Sequence, residues 1–233
     1  MELGLYHILN RGVDKRTIFQ DEEDHFRFVH DLFEFNDENN VYANNYRFCQ
    51  SYNQSLDIEC PKIEKTKSPR PRKCLVKIHA FSMMPNHYHL LISPINEKGV
   101  SLFMKKLNMG YSKYFNEKYE RVGALFQGKY KSIQITEDRH FLFMPYYIHF
   151  NPLDLHAPEW RERSIKNLNS AIKFLESYRW SSHLDYLGKK NFPSVTQRDF
   201  FLDYFGGESG YKNSVYQELK NFSSSDFNGF TLE

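Results

Sequence analysis

The sequence predicts an α+β fold in which an antiparallel sheet carries helices packed against it. Three observations lead there. Short apolar runs with the two-residue period of strands alternate with longer runs at helical spacing, two of the strand runs flank the turn signal Pro85-Asn86, and the elements follow in the order β, α, β, β, α, β, α. A chain of 233 residues with 40% apolar and 26% charged positions can bury a substantial core, which excludes collagen-like and wholly disordered classes.

The first element, Leu5-Tyr6-His7-Ile8-Leu9, reads as a strand ended by the turn signal Asn10-Arg11-Gly12. Residues 21–35 place Phe26, Val29, Leu32 and Phe33 at helical spacing, and Asp21, Glu22, Glu23 and Asp24 crowd the end where the helix dipole favours acids. Residues 36–73 break the pattern with an Asn-rich start and a stretch, 61–73, of six cations, one acid and three prolines. This segment reads as an insertion, either a solvated linker or an arm that touches nucleic-acid phosphate.

Residues 75–84 and 87–93 form an antiparallel hairpin around Pro85-Asn86. A helix follows, apolar at Leu102, Phe103, Leu107, Tyr111 and Tyr114, with Lys105, Lys106, Lys113 and Lys118 on its other faces and Gly123 closing the segment. Residues 125–135 alternate as one strand that projects Lys129 and Lys131 from a single face. A further helix covers 137–151, interrupted at Pro145 and ended before Pro152. Beyond Leu153 the pattern is less regular, although 168–175 looks helical. The order of elements is that of a ferredoxin-like layout. The expected division is a domain over 1–153, with its insertion at about 36–73, and a C-terminal extension over 154–233.

Net charge is only +2, and local clustering says more. Between Lys98 and Lys131 eight cations face two acids, a balance of +6, whereas the last 36 residues carry −3. The middle of the chain therefore attracts polyanions. The 16 Tyr and 21 Phe suit an aromatic core, or a platform on which unpaired bases stack. Cys49, Cys60 and Cys74 are odd in number and form no CxxC pair, so free thiols are expected. No window approaches the roughly 18 uninterrupted apolar residues of a membrane helix, and an acid stands near the start where a secretory leader would be basic. The expectation is a cytoplasmic protein with no membrane partner.

His87-Tyr88-His89 opens the second hairpin strand, where residues i and i+2 share a face, so two imidazoles project side by side and can bind one divalent ion. In Tyr146-Tyr147-Ile148-His149-Phe150-Asn151-Pro152, Tyr147 and Asn151 are four apart and share a helix face, while Tyr146 lies about 100° round. Lys105, Lys106, Lys113, Lys129 and Lys131 are candidates for DNA backbone contacts, each equally readable as an ordinary surface lysine.

The run 83–92, Met-Met-Pro-Asn-His-Tyr-His-Leu-Leu-Ile, followed by Tyr147 to Pro152 and then by Tyr178-Arg179-Trp180-Ser181-Ser182, resembles the single-tyrosine HUH transposases of insertion-sequence type, closest to the REP-associated tyrosine transposases. The resemblance spans about 5–187. It implies a ferredoxin-like domain that cuts and rejoins single-stranded or hairpin DNA through a 5′-phosphotyrosine intermediate. It further implies Tyr147 as nucleophile, His87 and His89 as ligands of a divalent metal (Mg²⁺ or Mn²⁺), Asn151 as a third ligand, and no nucleotide cofactor. A regulator that binds a nucleic-acid hairpin without cutting it, and a metal-dependent hydrolase that acts without a covalent step, are the competing readings. Monomer and homodimer both stay open.

Overall fold

The computed structural model describes residues 4–39 and 72–222. Four strands, β1 (Leu5–Arg11), β2 (Val76–Met84), β3 (His87–Pro94) and β4 (Lys131–Ile135), form one antiparallel sheet in the order β2-β3-β1-β4. The sheet has a core on each side because its two central strands are apolar on both faces. Ile8, Tyr88, Leu90 and Ile92 point into one core, while Leu91 and the histidines of β1 and β3 belong to the other face. A bulge in β2 between Ile78 and Ala80 shifts its alternation, so Ile78, Phe81 and Met83 all reach the first core.

Helices α1 (Glu22–Glu34) and α2 (Gly99–Lys118) cover that first face. The acids at the start of α1 do two jobs. Asp21 caps the helix by accepting from the Asp24 amide at 3.0 Å, and Lys118 at the end of α2 reaches Asp21, Glu23 and Asp24 at 2.8, 3.1 and 3.0 Å. α2 stops at Lys118, earlier than Gly123, because Glu120 adopts a left-handed conformation (φ 49°) that no helix can propagate. After α1, the buried Asn36 accepts from the Leu75 and Val76 amides and donates to the Val76 carbonyl, and the Glu38 amide donates to the Lys73 carbonyl at 2.9 Å. The two ends of the expected insertion are thus tied together; its residues 40–71, with Cys49 and Cys60, lie outside the described residues, and Cys74 is a free thiol.

Two further elements differ from expectation. Gly128, at φ 139°, breaks the extended run, so β4 holds only five residues and Lys129 precedes it. α3 (Asp138–Phe150) passes through Pro145 without interruption. A mid-helix proline costs about 3 kcal/mol. Each large apolar side chain that α3 buries returns about 1.5–3 kcal/mol, and Met144, Tyr146, Tyr147, Ile148 and Phe150 are all buried.

Asn151–Leu155 then tightens into a 3₁₀ turn. The remaining chain forms α4 (Leu168–Ser177), α5 (His183–Tyr186), α6 (Asp199–Phe205) and α7 (Gly207–Asn221). Leu175, Tyr186, Phe201, Tyr211 and Phe222 pack with Tyr146 and Phe150 in the second core, so α3 lies between the sheet and this helical layer. Residues 178–182 also extend the sheet beside β2, through Met83 N to Trp180 O (2.9 Å) and Ser182 N to Phe81 O (3.0 Å). None of the described helices is long and apolar enough to cross a membrane.

Candidate active site

The two-residue period of β3 sends His87 and His89 to the face under α3, and pairing with β1 brings Arg11 opposite His87 and Leu9 opposite His89. The His87 and His89 rings lie 5.0 Å apart, nearly perpendicular. His87 Nδ1 is 2.6 Å from the Asn86 Oδ1 acceptor, so it carries the proton and Nε2 keeps its lone pair. His89 Nδ1 is 2.9 Å from His7 Nε2. The Nε2 atoms of His87 and His89 are both buried and have no hydrogen-bond partner among the described residues.

Burial pulls the His87 imidazolium down to about 4, Arg11 adding to the effect and Asp154 opposing it, and it pushes His89 well below the usual histidine range. Both rings are therefore neutral at pH 7. Two buried imidazole nitrogens without a hydrogen-bond partner, of which His87 Nε2 carries a free lone pair, fit a divalent cation, although no group of three or more His, Cys, Asp or Glu converges among the described residues. Oxygen from an amide, water or substrate would have to complete the coordination.

α3 delivers Tyr147 to this spot. Its ring stands edge-on to His7 and His89, with centroids 5.6 and 5.9 Å away, and is 3% exposed. Tyr146, one residue earlier, turns the other way and packs against Phe150, Phe205 and Tyr211, where burial raises its phenol to about 12. Asn151 is fully buried at the C-terminal end of α3. Its Nδ2 donates to the Tyr147 carbonyl at 2.7 Å and its Oδ1 accepts from Arg161 at 3.0 Å. Arg161 is itself held by Asp154 at 2.7 Å, which also accepts from Trp160 Nε1.

The five candidate lysines do not converge. Lys131 lies opposite Leu9 on β4, and so is exposed on the histidine face. Lys129 and Lys105 flank a concavity of about 280 Å³ beside α2, with Met109 and Tyr130 in its wall. Lys106 turns inward to the carbonyls of Asp37, Glu38 and Asn39, and Lys113 pairs with Glu117 in solvent at 3.7 Å. His7, Arg161 and Asp154 escaped the sequence reading. His7 shares the alternation of Leu5 and Leu9, but its partner strand cannot be read from β1 alone, and nothing local marks a 3₁₀ turn as lining a site.

Residues 41–151 match the sequence model of a family described as "Transposase IS200 like", a stretch that includes His87, His89, Tyr147 and Asn151. That family is of the kind the motif resemblance implied, and the match covers 111 of the 233 residues. Among solved structures, one titled "Structure of the REP associates tyrosine transposase bound to a REP hairpin" is similar over 84% of this chain and 86% of that one, at 12% identity and a TM-score of 0.46. No curated protein matches.

Proposed function

We propose that this protein is a DNA strand transferase that cuts and rejoins single-stranded or hairpin DNA, with Tyr147 as nucleophile. The observation that carries the proposal is the meeting of the Tyr147 ring with the neutral histidines of the central strands, inside a match to IS200-like transposases. In this reading the Tyr147 oxygen bonds to phosphorus while the bond to the 3′-oxygen breaks, and the proton lost by the phenol is balanced by one gained at the freed 3′-hydroxyl. The phosphotyrosine stores the bond energy, so a second 3′-hydroxyl can reverse the step without a nucleotide cofactor. A phenol of ordinary pKa near 10 is a poor nucleophile at pH 7, and a phosphodiester repels an incoming anion. A divalent cation, Mg²⁺ or Mn²⁺, would be held by His87 and His89 and would supply charge neutralisation at the phosphoryl oxygen.

Asn151 would be the third ligand through Oδ1, the oxygen that accepts from Arg161. Lys131 steers backbone phosphate toward the histidine face, and Lys105 with Lys129 hold a more distant part of the strand. Residues 1–153 carry the chemistry, and the extension from 154 buttresses α3. The test is incubation of the full chain with labelled hairpin DNA and Mg²⁺ or Mn²⁺, followed by denaturing electrophoresis. A DNA adduct is expected that Tyr147→Phe eliminates and Tyr146→Phe retains. Binding with no adduct would turn the reading to a hairpin-binding regulator, and cleavage with no adduct to a hydrolase.

A further inference from the structure

We propose that His7 is a positioning residue for His89, fixing the tautomer that leaves His89 Nε2 free to hold a cation. The inference rests on the metal site proposed above and adds a residue to which no function has so far been given.

The two rings lie side by side and nearly coplanar, with centroids 5.1 Å apart and planes 9° from parallel, and both are fully buried. A contact of 2.9 Å between two imidazole nitrogens is a hydrogen bond only if one carries a proton and the other a lone pair. Two arrangements satisfy it. If His7 Nε2 donates, His89 Nδ1 accepts, and a neutral His89 then has its proton on Nε2 and no lone pair for a metal. If His89 Nδ1 donates, His7 Nε2 accepts, and His89 Nε2 is free. Cation binding selects the second arrangement, and His7 is the acceptor that makes it available in a buried site.

His87 is served in the same manner by Asn86, whose oxygen can only accept. His7 differs because it can exchange roles with its partner: passing from the closed to the open tautomer moves the shared proton from His7 Nε2 to His89 Nδ1, while solvent takes the proton from His89 Nε2 and returns one to His7 Nδ1. Ring packing alone does not account for His7, since a phenylalanine would fill the same place on β1 without a buried polar nitrogen.

The experiment measures Mn²⁺ affinity of the full chain by calorimetry, for the unaltered protein and for His7→Phe, His7→Gln and His89→Ala, with long-range ¹H–¹⁵N spectra of the unaltered protein in Mg²⁺. His7→Phe keeps the ring and should weaken Mn²⁺ binding about 10- to 100-fold, the usual range for losing a partner of a ligating histidine. His7→Gln places an amide oxygen where Nε2 was and should recover most of that loss. The Mg²⁺ spectra should show His89 protonated at Nδ1 and not at Nε2. Unchanged affinity in His7→Phe, no recovery in His7→Gln, or a proton on His89 Nε2 in Mg²⁺ overturns the assignment, while binding lost in His89→Ala preserves the metal site. No Mn²⁺ binding by the unaltered chain, or full binding by His89→Ala, overturns the metal site and the role of His7 with it. The spectra need no variant, so they decide even if His7→Phe fails to fold.

Discussion

Lys106 directs its ammonium to the carbonyls that follow α1, whereas Lys131 stands exposed on the histidine face, two strands from β3. One change should therefore act on folding and the other on DNA. Lys106→Ala removes hydrogen bonds from a charged donor and should cost about 1.5–3 kcal/mol in denaturant unfolding, with no change in the salt dependence of hairpin binding. Lys131→Ala should leave the unfolding midpoint in place and reduce the slope of log affinity against log salt by about one. The reverse pattern would exchange their roles. In the sequence these two residues look alike, because the acceptors of Lys106 are backbone carbonyls on a segment nearly 70 positions away and no side-chain chemistry announces them. His87 and His89 were legible because their pairing needs only the period of one strand. His7 was not, since its meaning depends on which strand lies beside it.

The interface between α3 and the C-terminal helices stores a dependence on acid. His149 on α3 meets Tyr211 of α7 and Ser182 through its two ring nitrogens at 2.7 Å each, and His183 of α5 meets the same phenol at 2.8 Å. Burial lowers His183 to about 4 and puts His149 well below the usual range, and His79 at the edge of the sheet is also lowered to about 4. These folded values lie below the unfolded value near 6.5, so the unfolded chain binds more protons in acid. Their contribution is complete above about pH 6.5 and is lost as pH falls toward 4. His183 and His79 each contribute at most about 3 kcal/mol across that window and His149 acts in the same direction, opposed in part by the buried Asp185, whose raised carboxyl pulls the other way. Urea midpoints should therefore fall from pH 7.5 to pH 5, and a flat profile would refute the account. Elements with local signals, such as α1 with its capping acids and the hairpin at Pro85-Asn86, could be read directly. The continuity of α3 through Pro145 could not, because burial between two layers outweighs the local cost of proline.

At the scale of the whole molecule, the element order implied the antiparallel α+β arrangement, but the helical layer beyond α3 left little trace in the sequence beyond α4. Apart from α7 its helices have ten residues or fewer, and their apolar positions meet α3 and one another without a regular repeat. The tie between the two ends of the 36–73 segment has a further consequence. β1 is a central strand, yet it reaches the rest of the sheet through space and not through the chain between Asn39 and Arg72. Ile8, Ile18, Phe19, Phe28, Val29 and Leu32 are all buried, and at about 1.5–3 kcal/mol each they rival the roughly 4–15 kcal/mol cost of associating two separate chains. The protein should then survive as two polypeptides: co-produced fragments 1–39 and 72–233 should purify together and unfold in a single transition, whereas fragments that elute apart would mean that the linking segment supplies more than a connection. The proposed histidine pair would be divided between the pieces, His7 on the shorter and His89 with Tyr147 on the longer, so that reassembly of the fragments would rebuild the pair from two molecules.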